Sequence, residues 1–153
     1  MEPECKMSDT IIEALRTYIN NCSYLDADSG EVSINYMSSD PIQYGIFPLP
    51  GEKLIEKYIV SGGIFEYPFA LRVNASNTDD YALLETQGFF EEFSAWLEEN
   101  NDSGTFPALP TGKTAIKVEA QSNGYLIEQG ESGTSIYEVP CTLIYEKLNY
   151  EKE

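Results

Sequence analysis

The sequence contains no histidine. That excludes Ser-His-Asp and Cys-His catalysis and removes the commonest zinc ligand. Cations are scarce as well: nine lysines and arginines stand against 26 aspartates and glutamates, a formal net charge of −17. Proteins that bind nucleic acid through phosphate need cationic patches, which this composition does not favour. The same charge is repelled by an anionic membrane. No apolar run is long enough for a membrane-spanning helix, and the acidic start MEPECKMSDT lacks the apolar stretch of a signal peptide. Cys5, Cys22 and Cys141 are odd in number and form no Cys-x-x-Cys pair. They read as reduced thiols of an intracellular protein, with Cys141 in the core, and not as a disulfide framework.

What is present suits one packed domain. The chain has 153 residues, 42% of them hydrophobic and 12% aromatic, with eleven tyrosines and seven phenylalanines. A single domain over residues 1–153 is expected, with 1–7 and 148–153 frayed at the ends.

Ile11, Ala14, Leu15, Tyr18, Ile19 and Cys22 recur at helical spacing, which predicts a first helix over Asp9–Asn21. Thr10 and Glu13 fit a capping box, with Ser8 as the other candidate cap. Val32, Ile34 and Tyr36 alternate with polar residues as in a half-buried strand. The stretch from Ser38 to about Gly51 is rich in proline and reads as an extended arm or loop. Leu54–Val60 and Ile64–Val73 form a hairpin around Ser61-Gly62-Gly63, with Pro68 at an edge or bulge. A second helix starts at the Thr78 cap and ends near Asn100. It buries Ala82, Thr86, Phe89, Phe90, Phe93, Trp96 and Leu97 and turns Glu85, Glu91, Glu92, Glu98 and Glu99 away. Asn123-Gly124 predicts a hairpin between Thr114–Gln121 and Tyr125–Gln129, and Gly130–Gly133 turns the chain into a long strand, Thr134–Lys147. Helix, three strands, helix, three strands is an α+β pattern: a mixed, mostly antiparallel sheet of about five to six strands with two helices packed on it.

Gly112-Lys113-Thr114 matches the end of the phosphate-cradling motif G-x-x-x-x-G-K-[ST]. The first glycine of that motif would fall at Pro107, which has no N–H to offer a phosphate. The motif also opens a helix, whereas Ala115-Ile116-Lys117-Val118 reads as a strand. A turn leading into a strand, with Lys113 solvated, is the expectation. Asp26–Glu31 has the flavour of a calcium loop. The positions that need an acidic or amide ligand, a glycine and a glutamate hold Gly30, Glu31 and Met37, so a solvated acidic turn is expected instead. No catalytic residue, cofactor or metal site is assigned.

Three blocks in order, EYPFALR (66–72), GFFEEFSAWLEENN (88–101) and GKTAIKVEAQSNGYL (112–126), followed by the Cys-Thr-Leu-Ile-Tyr strand, resemble the minor capsid proteins of tailed phages and prophages of Gram-positive bacteria. These are similar to the tail terminator proteins of long-tailed phages. The resemblance spans about residues 42–147. It implies a virion structural protein with no chemistry: a ring, usually of six copies, that caps the tail tube, stops its growth and joins the head connector. It implies as partners further copies of the chain, the tail-tube protein and the head–tail connector protein. DNA passes through such a ring without being bound, and no membrane is involved. A ring needs one patch that meets a different patch on the next copy. Ile46, Phe47 and Leu49 in the first proline-rich segment, and Phe106 and Leu109 in the second, are the candidate contacts with a neighbour or the tube; the other reading is that they simply cover the ends of the core, since single apolar residues at a surface are normal. A second class of function fits the same charge: an acidic protein-binding module, either a head–tail connector component or a mimic of DNA.

Overall fold

The computed structural model describes residues 10–25, 32–34, 43–59, 61–76, 80–122, 124–129 and 133–148. Ser8, Tyr36, Thr78 and the Asp26–Glu31 segment lie outside them.

The first helix, α1, spans Ile11–Asn20. Thr10 is extended and its Oγ1 accepts the Glu13 N–H at 3.2 Å, the capping contact expected from the sequence. Ala14, Leu15, Tyr18 and Ile19 form its buried stripe. Asn20 Oδ1 accepts the Val32 N–H at 2.9 Å, which fixes where the chain enters the sheet.

Seven strands follow among the described residues: β1 Ser33–Ile34, β2 Gln43–Pro48, β3 Lys53–Lys57, β4 Gly63–Ser76, β5 Lys113–Ala120, β6 Tyr125–Gln129 and β7 Thr134–Lys147. The second helix, α2, spans Asp80–Ser103, between β4 and β5. β4 and β7 are the two long central strands, paired antiparallel without a register shift from Gly63↔Lys147 to Ser76↔Thr134. β2 and then β3 share the outer side of β4, while β6 and β5 share the outer side of β7. β1 lies parallel to β2 and makes the sheet mixed. The fold is α+β, with slightly more strands than the sequence suggested.

Both helices pack on one face of the sheet. From that face Phe69, Leu71, Val73, Tyr137, Val139, Cys141, Leu143 and Tyr145 meet Leu15 and Ile19 of α1 and Phe90, Phe93 and Leu97 of α2 in one buried cluster. Rings join the helices to each other and to the sheet: Tyr18 meets Trp96 at 5.1 Å, Tyr44 meets Phe89 at 5.4 Å and Phe90 meets Tyr137 at 5.7 Å between centroids. Burial pushes the Cys141 thiol well above its ordinary range, so it stays protonated as a core side chain.

Four expectations need correction. The arm at 38–51 contains β2, because Tyr44 and Ile46 alternate inward and Pro48 occupies only its last paired position. Pro68 lies in a central strand, opposite Thr142. Its carbonyl accepts the Leu49 N–H at 3.1 Å, so its nitrogen faces the gap where the outer partner changes from β2 to β3. The missing donor therefore interrupts no ladder. Pro140 occupies the equivalent gap between β5 and β6, where its carbonyl accepts the Gln121 N–H at 2.7 Å. Asn123-Gly124 does not fold β5 onto β6. Both strands run along β7 in succession, held at the junction by Gln121, whose Nε2 also donates to Thr142 Oγ1 at 2.8 Å. Finally, α2 runs three residues past Asn100, because Asn101 is anchored: its Nδ2 donates to the Val118 carbonyl at 2.8 Å and its Oδ1 accepts the Val118 N–H at 3.1 Å.

The outer strands share one irregularity. Leu54 faces Phe65 and Glu56 faces Ile64, which leaves Ile55 extra. Ala115 faces Tyr145 and Lys117 faces Ile144, which leaves Ile116 extra. Leu126 faces Tyr137 and Glu128 faces Ile136, which leaves Ile127 extra. Each time an apolar residue, an isoleucine and a charged residue lie against an Ile-aromatic pair, and the extra isoleucine is exposed. Such bulges bend a strand and spoil the straight edge that another strand would extend.

Candidate functional site

The candidate surfaces are the helix-free sheet face, the outer ridge of α2 and one end of the sheet. No described helix or strand packs on the helix-free face. Four strands there contribute one chain of polar contacts. Arg72 Nε donates to Glu138 Oε1 at 2.8 Å, and the Tyr125 hydroxyl donates to Glu138 Oε2 at 2.9 Å. The Arg72 guanidinium lies 4.4 Å from the centre of the Phe47 ring. The hydrogen bond to Glu138 raises the Tyr125 phenol, since ionising it would set two anions together. This arrangement braces a surface: the arginine is committed to one carboxylate and one ring, in a cation–π contact.

On the other side of the molecule, α2 presents an acidic ridge. The helix holds seven acidic residues and no basic one. Gln87, Glu91, Ala95, Glu98 and Asp102 lie along one exposed line, with Glu92 and Glu99 beside it.

The cations gather elsewhere. Lys53, Lys57, Lys113, Lys117 and Lys147 all belong to the end of the sheet where β3, β7 and β5 lie across from one another. Lys57 pairs across Gly63 to Lys147, and Lys147 pairs to Lys113, so these three lysines occupy one rung of the sheet. Residues on one rung project from one face. Lys53 and Lys117 are paired with Glu66 and Glu119, whereas none of the rung lysines has an ion pair among the described residues.

The candidate contact residues divide. Ile46 is wholly buried and Leu109 is 2% exposed, so neither has surface to offer a neighbour. Ile46 sits in β2, opposite Leu71, and belongs to the core. Leu109 is drawn inward by a loop whose start is pinned: the Tyr18 hydroxyl donates to the Thr105 carbonyl at 3.0 Å and accepts from Asn100 Nδ2 at 3.0 Å. Phe47, Leu49 and Phe106 are half-buried, with part of each side chain reaching the outside. The structure does not gather the five into one patch: Phe47 lies on the helix-free face, while Phe106 packs against the core from the loop after α2.

Gly112 adopts φ of +88°, a left-handed turn, and Lys113 opens β5 instead of a helix. The Gly-Lys-Thr triplet is thus a turn into a strand, with no helix N-terminus to receive a phosphate.

Reading by residue type missed the lysine rung, because it depends on cross-strand register. Lys57 and Lys147 are far apart in sequence and meet only through Gly63. The acidic ridge was visible in the helical spacing alone.

No protein-family model and no curated protein matches the sequence. Among solved structures, the chain is similar to one at 13% identity and a TM-score of 0.40, over 92% of each chain. A likeness that loose carries no argument about fold or function. Among the described residues, no helix is long and apolar enough to cross a membrane.

Proposed function

We propose that this chain is a virion structural protein of a tailed phage or prophage, a tail terminator that caps the tail tube as a ring and offers the head connector its joining surface. The observation that carries the reading is where the family-like blocks lie. EYPFALR lies in β4, GFFEEFSAWLEENN in α2, GKTAIKVEAQSNGYL runs from β5 into β6, and the Cys-Thr-Leu-Ile-Tyr block lies in β7. Their side chains form one unit: Phe69, Phe90, Phe93, Val118 and Leu143 are wholly buried in the same cluster, and Asn101 of one block holds Val118 of another. Blocks that resemble one family in order and also build one core are what a shared architecture requires.

The electrostatics support the same reading. A conduit for DNA works with neutral or negative walls, since cationic ones would retain phosphates. A subunit of charge −17 supplies such walls. Phe47, Leu49 and Phe106 remain candidate contacts with a neighbour or with the tube. The test is a paired pull-down with the cognate tail-tube protein and a panel of DNA-binding proteins. Retention of the tube protein supports the terminator. Selective retention of a basic DNA-binding protein would instead favour the DNA mimic, for which the line of acids along α2 is the supporting feature.

A further inference from the structure

Rings of identical subunits need two different complementary patches, and two are present. The rung carries three lysines across the strands. Neighbouring strands are about 4.8 Å apart, so Lys113 and Lys147 are separated by about 5 Å and Lys147 and Lys57 by about 10 Å. The ridge of α2 carries Asp102, Glu98 and Glu91 on one line. A rise of about 1.5 Å per residue separates the first two by about 6 Å and the last two by about 10 Å. Order and spacing correspond, and long lysine side chains absorb the difference. The rung lysines have no ion pair within the described chain, and the ridge has no cation of its own.

We propose that the Lys57–Lys147–Lys113 rung of one copy receives the Glu91–Glu98–Asp102 ridge of α2 from a second copy, head to tail. This rests on the ring reading above and names the contact that would join its subunits. The occupant is another copy because rung and ridge match in sign, order and spacing, and every copy carries both. A contact between unlike patches leaves one rung and one ridge free at the ends, so addition continues until the ring closes. Strand-to-strand addition is the less favourable route, since β3, β5 and β6 each carry a bulge. The whole-molecule repulsion acts over long range and is screened by salt first, whereas pairs in contact are screened less. Association is therefore expected at moderate ionic strength.

Charge exchange tests the contact. K57E/K113E reverses the rung, and E91K/E98K reverses the ridge. Circular dichroism first establishes that both variants retain the native fold. By sedimentation at low and moderate salt, wild type is expected to associate at moderate salt and each variant alone to lose that association. An equimolar mixture is expected to regain it, because the two then alternate, with every rung facing a ridge of opposite sign. E91K/E98K makes the chain less acidic, so association governed by net charge alone would strengthen, opposite to the loss expected here. Variants that associate like wild type, a mixture that stays monomeric, or a wild type that is monomeric in both salts would each overturn the proposal. The failures are separable: association with no effect of the variants refutes this contact and spares the ring, while a successful exchange without tube capping spares the contact and refutes the terminator.

Discussion

Asn101 stands where a helix, a strand and a loop depend on one side chain. Its amide satisfies both the N–H and the C=O of Val118 and closes the gap between the end of α2 and β5. N101A leaves both groups without that partner, at a cost of about 1–3 kcal/mol. A lowered urea midpoint with an unchanged slope is the expected result. Gly124 is constrained by contact: a Cβ there would lie 2.4 Å from the Phe90 ring, and that ring is itself held against Tyr137 and Phe89. G124A should therefore destabilise by about 1–3 kcal/mol through overpacking, read in the same denaturation experiment. The tyrosines offer a pH signature. The hydrogen bond to Glu146, at 2.6 Å, pushes the Tyr58 phenol up from 10.0 to about 12. Its folded value lies above its unfolded one, so this contact contributes fully below about pH 10 and is lost as pH rises toward 12. Phenolate absorbance during an alkaline titration should show a late component, and Y58F should reduce it.

At the scale of the element, local chemistry set most starts and register set the rest. Thr10 was legible as a cap because one hydroxyl three residues before Glu13 suffices; T10A is expected to cost about 1 kcal/mol, read as a drop in thermal midpoint. The long β7 was legible because Tyr137, Val139, Cys141, Leu143 and Tyr145 alternate with period two. The β2 strand was obscured by the prolines around it, although Tyr44 and Ile46 carried the alternation. The Asn-Gly pair misled because a turn signal says that a chain can reverse, and here the chain already had a partner in β7 to continue along. Pro68 misled for a related reason: an outer partner that changes from β2 to β3 leaves a gap inside the sheet where a missing N–H does no harm. Of the candidate contacts, Ile46 and Leu109 were apolar residues in proline-rich segments, and only the packed structure distinguishes such residues in the core from those outside it. The lysine rung was illegible because three separate strands supply it.

At the scale of the whole molecule, charge distribution is the dominant feature. The acids lie along α2 and much of the surface, while five of the nine cations cluster at one end of the sheet, so a net charge of −17 coexists with one edge where lysines are concentrated. Bulk DNA should meet mostly repulsion, and a gel shift at low salt is expected to show no complex. Between copies the same charge opposes association at low salt and yields to screening, so sedimentation should show larger species as ionic strength rises from low to moderate. A hexamer insensitive to salt would contradict this. The central claim, a ring that ends a tube, is tested most directly by electron microscopy of the protein added to its polymerised tail-tube protein. The account predicts density at tube ends and tubes that stop lengthening. Tubes that keep growing with bare ends would contradict it.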